Sequence, residues 1–199
     1  MSVTADTPCT AFRGDRRLAA GDAVTVALAL KAALATPPLN EDGHEDGRPV
    51  LVFDDRSGRA VDLDLQGSAA EIAARLAPPP RGPGRPKLGV VAREITLLPR
   101  HWEWLNAQPG GASVALRKLV DEARKGSEAK DRVRQAQEAA YRVMSALAGD
   151  RPGYEEAVRA LYAADRARFD TLTADWPADP RDYARALAAD AFGDLASAG

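Results

Sequence analysis

Ten residues near the middle of the chain, PPPRGPGRPK at 78 to 87, constrain the fold more than any others. Their five prolines and two glycines exclude helix and strand alike, because proline lacks an amide donor and glycine loses the most freedom on ordering. The chain therefore reads as separate parts on either side of a basic linker. Its 199 residues suffice for one ordinary domain or two or three small ones. We expect an α+β protein: a small N-terminal α+β unit over 1–77, the linker over 78–87, a strand and two helices over 88–126, and an all-helical domain over 127–199.

Within the first unit, Thr10 to Phe12 suits an edge strand, and Gly21-Asp22 opens a helix reaching about Ala35 with Val24, Leu28, Leu30 and Leu34 toward the core. TPPLNEDGHEDGR at 36 to 48 is a polar loop. Val50 to Phe53 forms an apolar strand, and Val61, Leu63 and Leu65 alternate with Asp62 and Asp64 as a half-exposed antiparallel partner should. Ser68, with Glu71 three residues on, predicts a capping box ahead of a short helix. Asp54, Asp55, Asp62 and Asp64 match no known metal-loop spacing and read as turn and solvent-face residues.

The segment KLGVVAREITLLPRHWEWLNAQPGGASVALRKLVDEARK at 87 to 125 carries the functional reading. Val90 to Leu98, rich in β-branched residues, predicts a strand, and Pro99 closes it while suiting the first turn of a helix. Trp102 and Leu105 give that helix a buried stripe, and Pro109-Gly110-Gly111 ends it. Ser113 is the expected N-cap of a second helix, whose apolar face is Val114, Leu116, Leu119, Val120 and Ala123. Gly126-Ser127 breaks it.

Strand, helix and helix in under forty residues resemble the ribbon-helix-helix family of DNA-binding repressors and antitoxins. The resemblance implies that two protomers pair their strands into an antiparallel ribbon lying in the major groove. It places Ser113 and Val114 at a phosphate on the second helix N-terminus. With Ile95 and Leu97 inward, Ala92, Glu94 and Thr96 face the bases; a slip of one residue would turn Arg93 outward instead. Members of that family usually carry Arg, Lys, Asn or Thr on this face, so Glu94 departs from the pattern. Gly84-Arg85-Pro86 resembles the centre of an AT-hook, with Arg81 and Lys87 as flanking cations and Pro83 where the first arginine would stand. A basic arm ahead of a major-groove reader can enter the adjacent minor groove.

After residue 127 the spacing predicts helices only. Val133, Ala136, Ala140, Val143 and Leu147 mark one, stopped by Gly149 to Gly153. Tyr154, Val158, Leu161 and Tyr162 mark another, Phe169, Leu172 and Trp176 a third, and Tyr183, Leu187 and Phe192 a last. Taken whole, VLVFDDRSGRAVDLDLQGS, GRPKLGVVAREITLLPRHWEWLNAQPGGASVALRKLV and AYRVMSALAGDRPGYEEAVRALYAADRARF resemble a bacterial family recorded as a domain of unknown function, number 2239. That resemblance implies bacterial origin and supplies no activity.

The net charge of -2 hides an uneven distribution. Residues 79 to 130 hold ten Lys and Arg against five Asp and Glu, a net +5, between flanks of -4 and -3. A basic segment between acidic ones suits an anion-binding surface. A single cysteine, Cys9, excludes an internal disulfide, and His44 and His101 lie too far apart in sequence to suggest a metal. With no P-loop or nucleophile elbow either, no catalytic residue, cofactor or metal is expected, and the chain is not read as an enzyme. No apolar run suits a membrane span and no secretion leader opens the chain, so no membrane is involved and the expected location is cytoplasmic.

The expectation is a homodimeric DNA-binding protein acting in transcription regulation on double-stranded DNA. Arg85, Lys87, Arg93, Arg100, Arg117 and Lys118 would contact phosphate or tether the approach, Ser113 and Val114 would offer amides, and Glu94 and Thr96 would read bases. The alternative is a dimerising adaptor or antitoxin-like module that meets a protein partner and never DNA.

Overall fold

The computed structural model describes residues 3–35, 47–77 and 91–193. The linker, with Arg85 and Lys87, and residues 36–46 of the expected loop lie outside them. The protein is mixed α+β and mostly helical, with one three-stranded antiparallel sheet and seven α-helices among the described residues. It divides into two compact units, residues 1–78 together with 132–199, and residues 79–131.

In the first unit, β1 (Pro8–Arg13) is the central strand, between β2 (Arg16–Asp22) and β3 (Val50–Asp54). The edge strand expected at Thr10 to Phe12 is thus the middle one. Its second neighbour, RRLAAGD, lacks β-branched residues and carries no strand signal; the tight Gly14-Asp15 turn brings it alongside. Asp22 then caps α1 (Ala23–Ala35), its carboxylate accepting the Thr25 amide at 2.8 Å, which holds the carboxyl below the usual carboxylate range. The buried stripe of α1 is Ala23, Val26, Ala27 and Leu30, whereas Leu34 is exposed. Small alanines allow a close approach to Cys9 and Ala11 of β1.

Val61, Leu63 and Leu65 face this same core. They form no strand, however: the Phe53 to Ala60 bridge, with the Val61 amide bonded to the Val52 carbonyl and the Asp54 amide to the Arg59 carbonyl, joins this stretch to β3. Period-two patterning had reported which side chains turn inward, not whether the backbone pairs. Ser68 and Glu71 cap α2 (Ala69–Leu76) reciprocally, and Ile72 is its buried residue.

The helices α4 (Gly111–Ala148), α5 (Tyr154–Tyr162), α6 (Arg166–Leu172) and α7 (Ala178–Ala188), with a 3-10 turn at Ala189–Phe192, follow. One core forms among them around Met144, Leu161, Phe169 and Trp176. A second joins them to the sheet: Phe12 and Phe53 meet Val143 of α4 and Tyr183 of α7, with the Phe12 and Tyr183 rings 5.2 Å apart. The Tyr183 hydroxyl donates to Asp55 at 2.7 Å, and Arg142 donates to the Ser57 carbonyl at 2.7 Å. Gly58, at φ +63°, lies so close to Ala139 that a Cβ would stand 2.2 Å from its carbonyl oxygen. Asp15 and Arg151 add an ion pair at 2.6 Å between the β1–β2 turn and the α4–α5 connection.

Helix α4 runs unbroken through Gly126-Ser127, where the sequence predicts a stop. Ser127 donates to Asp131 at 2.8 Å one turn on, and helix formers on both sides carry the single glycine.

Two outcomes follow from these contacts. A Cβ at Gly126 would meet nothing within 4 Å, so Gly126→Ala should raise stability by about 0.5–1 kcal/mol in chemical denaturation. Burial, then the hydrogen bond to Asp55, raises the Tyr183 phenol well above its ordinary value. A raised folded-state value means that this stabilisation is whole below the unfolded-state value and is lost as pH climbs past it. Tyr183→Phe should therefore cost about 1–2 kcal/mol near neutrality, and the gap to wild type should shrink above about pH 10 in denaturation curves.

Candidate nucleic-acid interface

The second unit begins, among the described residues, with a run that has no regular secondary structure and joins no described strand. Residues 91–98 belong to no strand, which corrects the strand expected over Val90 to Leu98, Val90 itself lying outside the described residues. Valine and isoleucine favour extended backbone, but a strand exists only where a neighbour takes its amides and carbonyls. Here Val91 is 70% exposed and Ile95 50%, while Leu97 is half-buried. Ala92, Arg93, Glu94 and Thr96 are all exposed, so the single chain leaves both registers of the expected ribbon open.

Leu98, at φ -67° and ψ 149°, hands the chain to α3 (Pro99–Asn106), with Pro99 at the first helical position as its fixed φ requires. Leu105 is buried and Trp102 half-buried, but Trp104 stands 52% exposed. Arg100 is exposed in the first turn. Gly110 and Gly111, at φ +86° and +72°, then turn the chain in a conformation that side-chain-bearing residues rarely take.

This double-glycine turn starts α4 at Gly111, three residues before the Val114 start that a Ser113 cap would give. Ser113 consequently lies inside the first turn rather than at the N-cap, and its carbonyl accepts the Arg117 Nε at 3.1 Å. Val114 remains in that first turn, half-buried, where amides point out of the helix end. Ala115 is buried and Leu116 half-buried, but Leu119 and Val120, expected on the apolar face, are 42% and 54% exposed. Arg117 and Lys118 are both exposed on the next turn. Arg93, Arg100, Lys118, Arg124 and Lys125 have no ion pair among the described residues.

The segment thus presents unmatched cations and uncovered apolar side chains together, and the arrangement can offer charge to an anion and area to a protein surface. Arg85 and Lys87 lie outside the described residues. Three of the four aspartates between 54 and 64 already have partners: Asp54 accepts the Arg56 amide and the Ser57 hydroxyl, Asp55 accepts the Tyr183 hydroxyl, and Asp64 pairs with Arg75 at 3.3 Å. No described group of three His, Cys, Asp or Glu side chains is placed to hold a metal ion. Burial, aided by the charges of Asp55 and Asp54, pushes the Cys9 thiol up to about 11, so it stays protonated at neutral pH. No described helix is long and apolar enough to cross a membrane.

No curated protein and no solved structure matches the chain. A family model described as "Uncharacterized protein conserved in bacteria (DUF2239)" matches residues 8–188, nearly the whole length, and the chain belongs to that family.

Proposed function

We propose that the protein is a dimeric, cytoplasmic DNA-binding regulator whose 91–131 segment forms both the contact between protomers and the surface for double-stranded DNA. The observation that carries this reading is the coincidence, in one short segment, of exposed Val91, Ile95, Leu98, Trp104, Leu119 and Val120 with cations that have no acidic partner. Two extended 91–98 runs placed antiparallel would supply each other's missing hydrogen bonds and cover Ile95 and Leu97, and the twofold axis suits a palindromic site. Glu94 and Thr96, or Arg93 after a slip, would then meet base edges. Arg93, in the unslipped register, Arg100, Arg117 and Lys118 would neutralise phosphates, the Ser113 and Val114 amides would hold one more, and Arg85 and Lys87 would follow the minor groove.

The same apolar residues, with Glu94 among them, favour a second reading in which the segment docks a different protein and never meets DNA. Fluorescence anisotropy against random and A·T-rich duplexes across a salt series separates the two. The DNA reading expects the logarithm of affinity to fall steeply with log salt. In the Arg93→Glu, Arg117→Glu double variant it expects the slope to flatten by roughly 2, about 1 per lost phosphate contact. Absence of binding at low salt, or an unchanged slope in the variant, would leave the protein-docking reading standing.

A further inference from the structure

Between the turn after β3, the second half of α4 and the end of α7 with its 3-10 turn lies a cavity of about 330 Å³. That is the low end of the roughly 300–1,000 Å³ usual for small-molecule sites. The three elements around it are fixed to one another. Asp54 accepts the Arg56 amide and the Ser57 hydroxyl, Arg142 donates to the Ser57 carbonyl, and Gly58 lies against Ala139, so the turn is held on α4. Tyr183 ties α7 to Asp55 in the same turn. A hollow with fixed walls is preorganised, and a ligand entering it orders little that is not ordered already.

The lining carries charge of both signs. Arg56, Arg132 and Asp190 all border the cavity, and none of their side chains has a hydrogen bond or ion pair among the described residues. Gln135, one turn along α4 from Arg132, adds an amide that is likewise without a partner there and can both donate and accept. Asp55, also on the wall, gives one oxygen to the Tyr183 hydroxyl and keeps its charge. Two guanidiniums and two carboxylates thus surround one space, and the cations have not closed on the acids. Beneath them the lining is apolar: Ala139 is buried, and Ala136 and Leu187 are half-buried. The short alanine side chains leave the volume that larger ones would fill.

We infer that this cavity binds a small zwitterion of the apolar α-amino-acid class, its carboxylate held by Arg56 and Arg132, its ammonium by Asp190, and its side chain laid over Ala136, Ala139 and Leu187. A simple anion would meet Asp55 and Asp190 as like charges, and a simple cation would meet both arginines; a molecule bearing both charges matches a lining whose own charges sum to zero. Guanidinium meets carboxylate through paired charge-assisted bonds, and the Gln135 carbonyl can accept a further ammonium proton. Burial of the ligand's apolar side chain on the alanine floor adds to these contacts. Every residue named belongs to the first unit, so the assignment does not rest on the reading of 91–131.

L-Leucine is the probe, in calorimetric titration of the full-length chain. Isocaproate, which lacks the ammonium, and isopentylamine, which lacks the carboxylate, serve as its two halves. Leucine should bind saturably, and each half should bind roughly tenfold more weakly or worse, the loss expected for one charge-assisted contact. Arg132→Ala and Asp190→Asn, both changes at exposed side chains, should each weaken leucine by a similar factor while leaving the thermal midpoint without ligand unchanged. Arg159→Ala, at an arginine of α5 outside the cavity, should bind leucine as wild type does. No saturable heat with leucine, a half-molecule that binds as tightly as leucine, undiminished binding in Arg132→Ala or Asp190→Asn, or an equal loss in Arg159→Ala would each overturn the assignment.

Discussion

A three-stranded sheet has two faces and too little area to survive with either one wet. In this protein α1 covers one face, its alanines lying on Cys9 and Ala11, and the opposite face is covered by residues 90 to 171 positions further along the chain. Phe12 and Phe53 reach Val143 and Tyr183, and the Tyr183 hydroxyl closes the contact on Asp55. Everything else in the first unit depends on that closure. It fixes the β3 turn against α4 through Arg142 and Gly58, brings Asp15 to Arg151, and requires the two ends of the chain to fold together with 79–131 between them.

What the sequence reveals and what it conceals divides along the same line. Local chemistry was legible: the Ser68 and Glu71 capping box, Pro99 at the start of α3, and the inward set Val61, Leu63 and Leu65 all stand where their patterns put them. Features set by distant contacts were not. Strand β2 has no strand composition and exists because β1 lies beside it, and β1 is central because both neighbours find it. The meeting of Asp55 with Tyr183 spans 128 positions and leaves no trace in spacing. Arg13 looks like an ordinary surface arginine in sequence, and only its enclosure in the sheet makes it unusual.

For the candidate interface, the residue types were legible and their placement only partly so. Gly126-Ser127 looked like a stop, yet one glycine within 38 helical residues costs too little to end a helix. Ser113 looked like a cap, yet Gly110 and Gly111, free to adopt positive φ, begin the helix before it. Exposed Arg117 and Lys118 lie on the wet side that the spacing gives the second helix, whereas Leu119 and Val120, expected on its apolar face, are exposed as well. Those two, with Val91, Ile95, Leu98 and Trp104, are large apolar side chains left in water by the single chain.

That surplus is the reason to place a second copy at 91–131, and the functional account stands or falls with it. Sedimentation equilibrium of the purified full-length chain is the direct measurement. The account predicts a particle of twice the 21.1 kDa chain mass, returned to the single mass by Ile95→Lys. A 21.1 kDa particle at every concentration, or a dimer indifferent to Ile95→Lys, would contradict it.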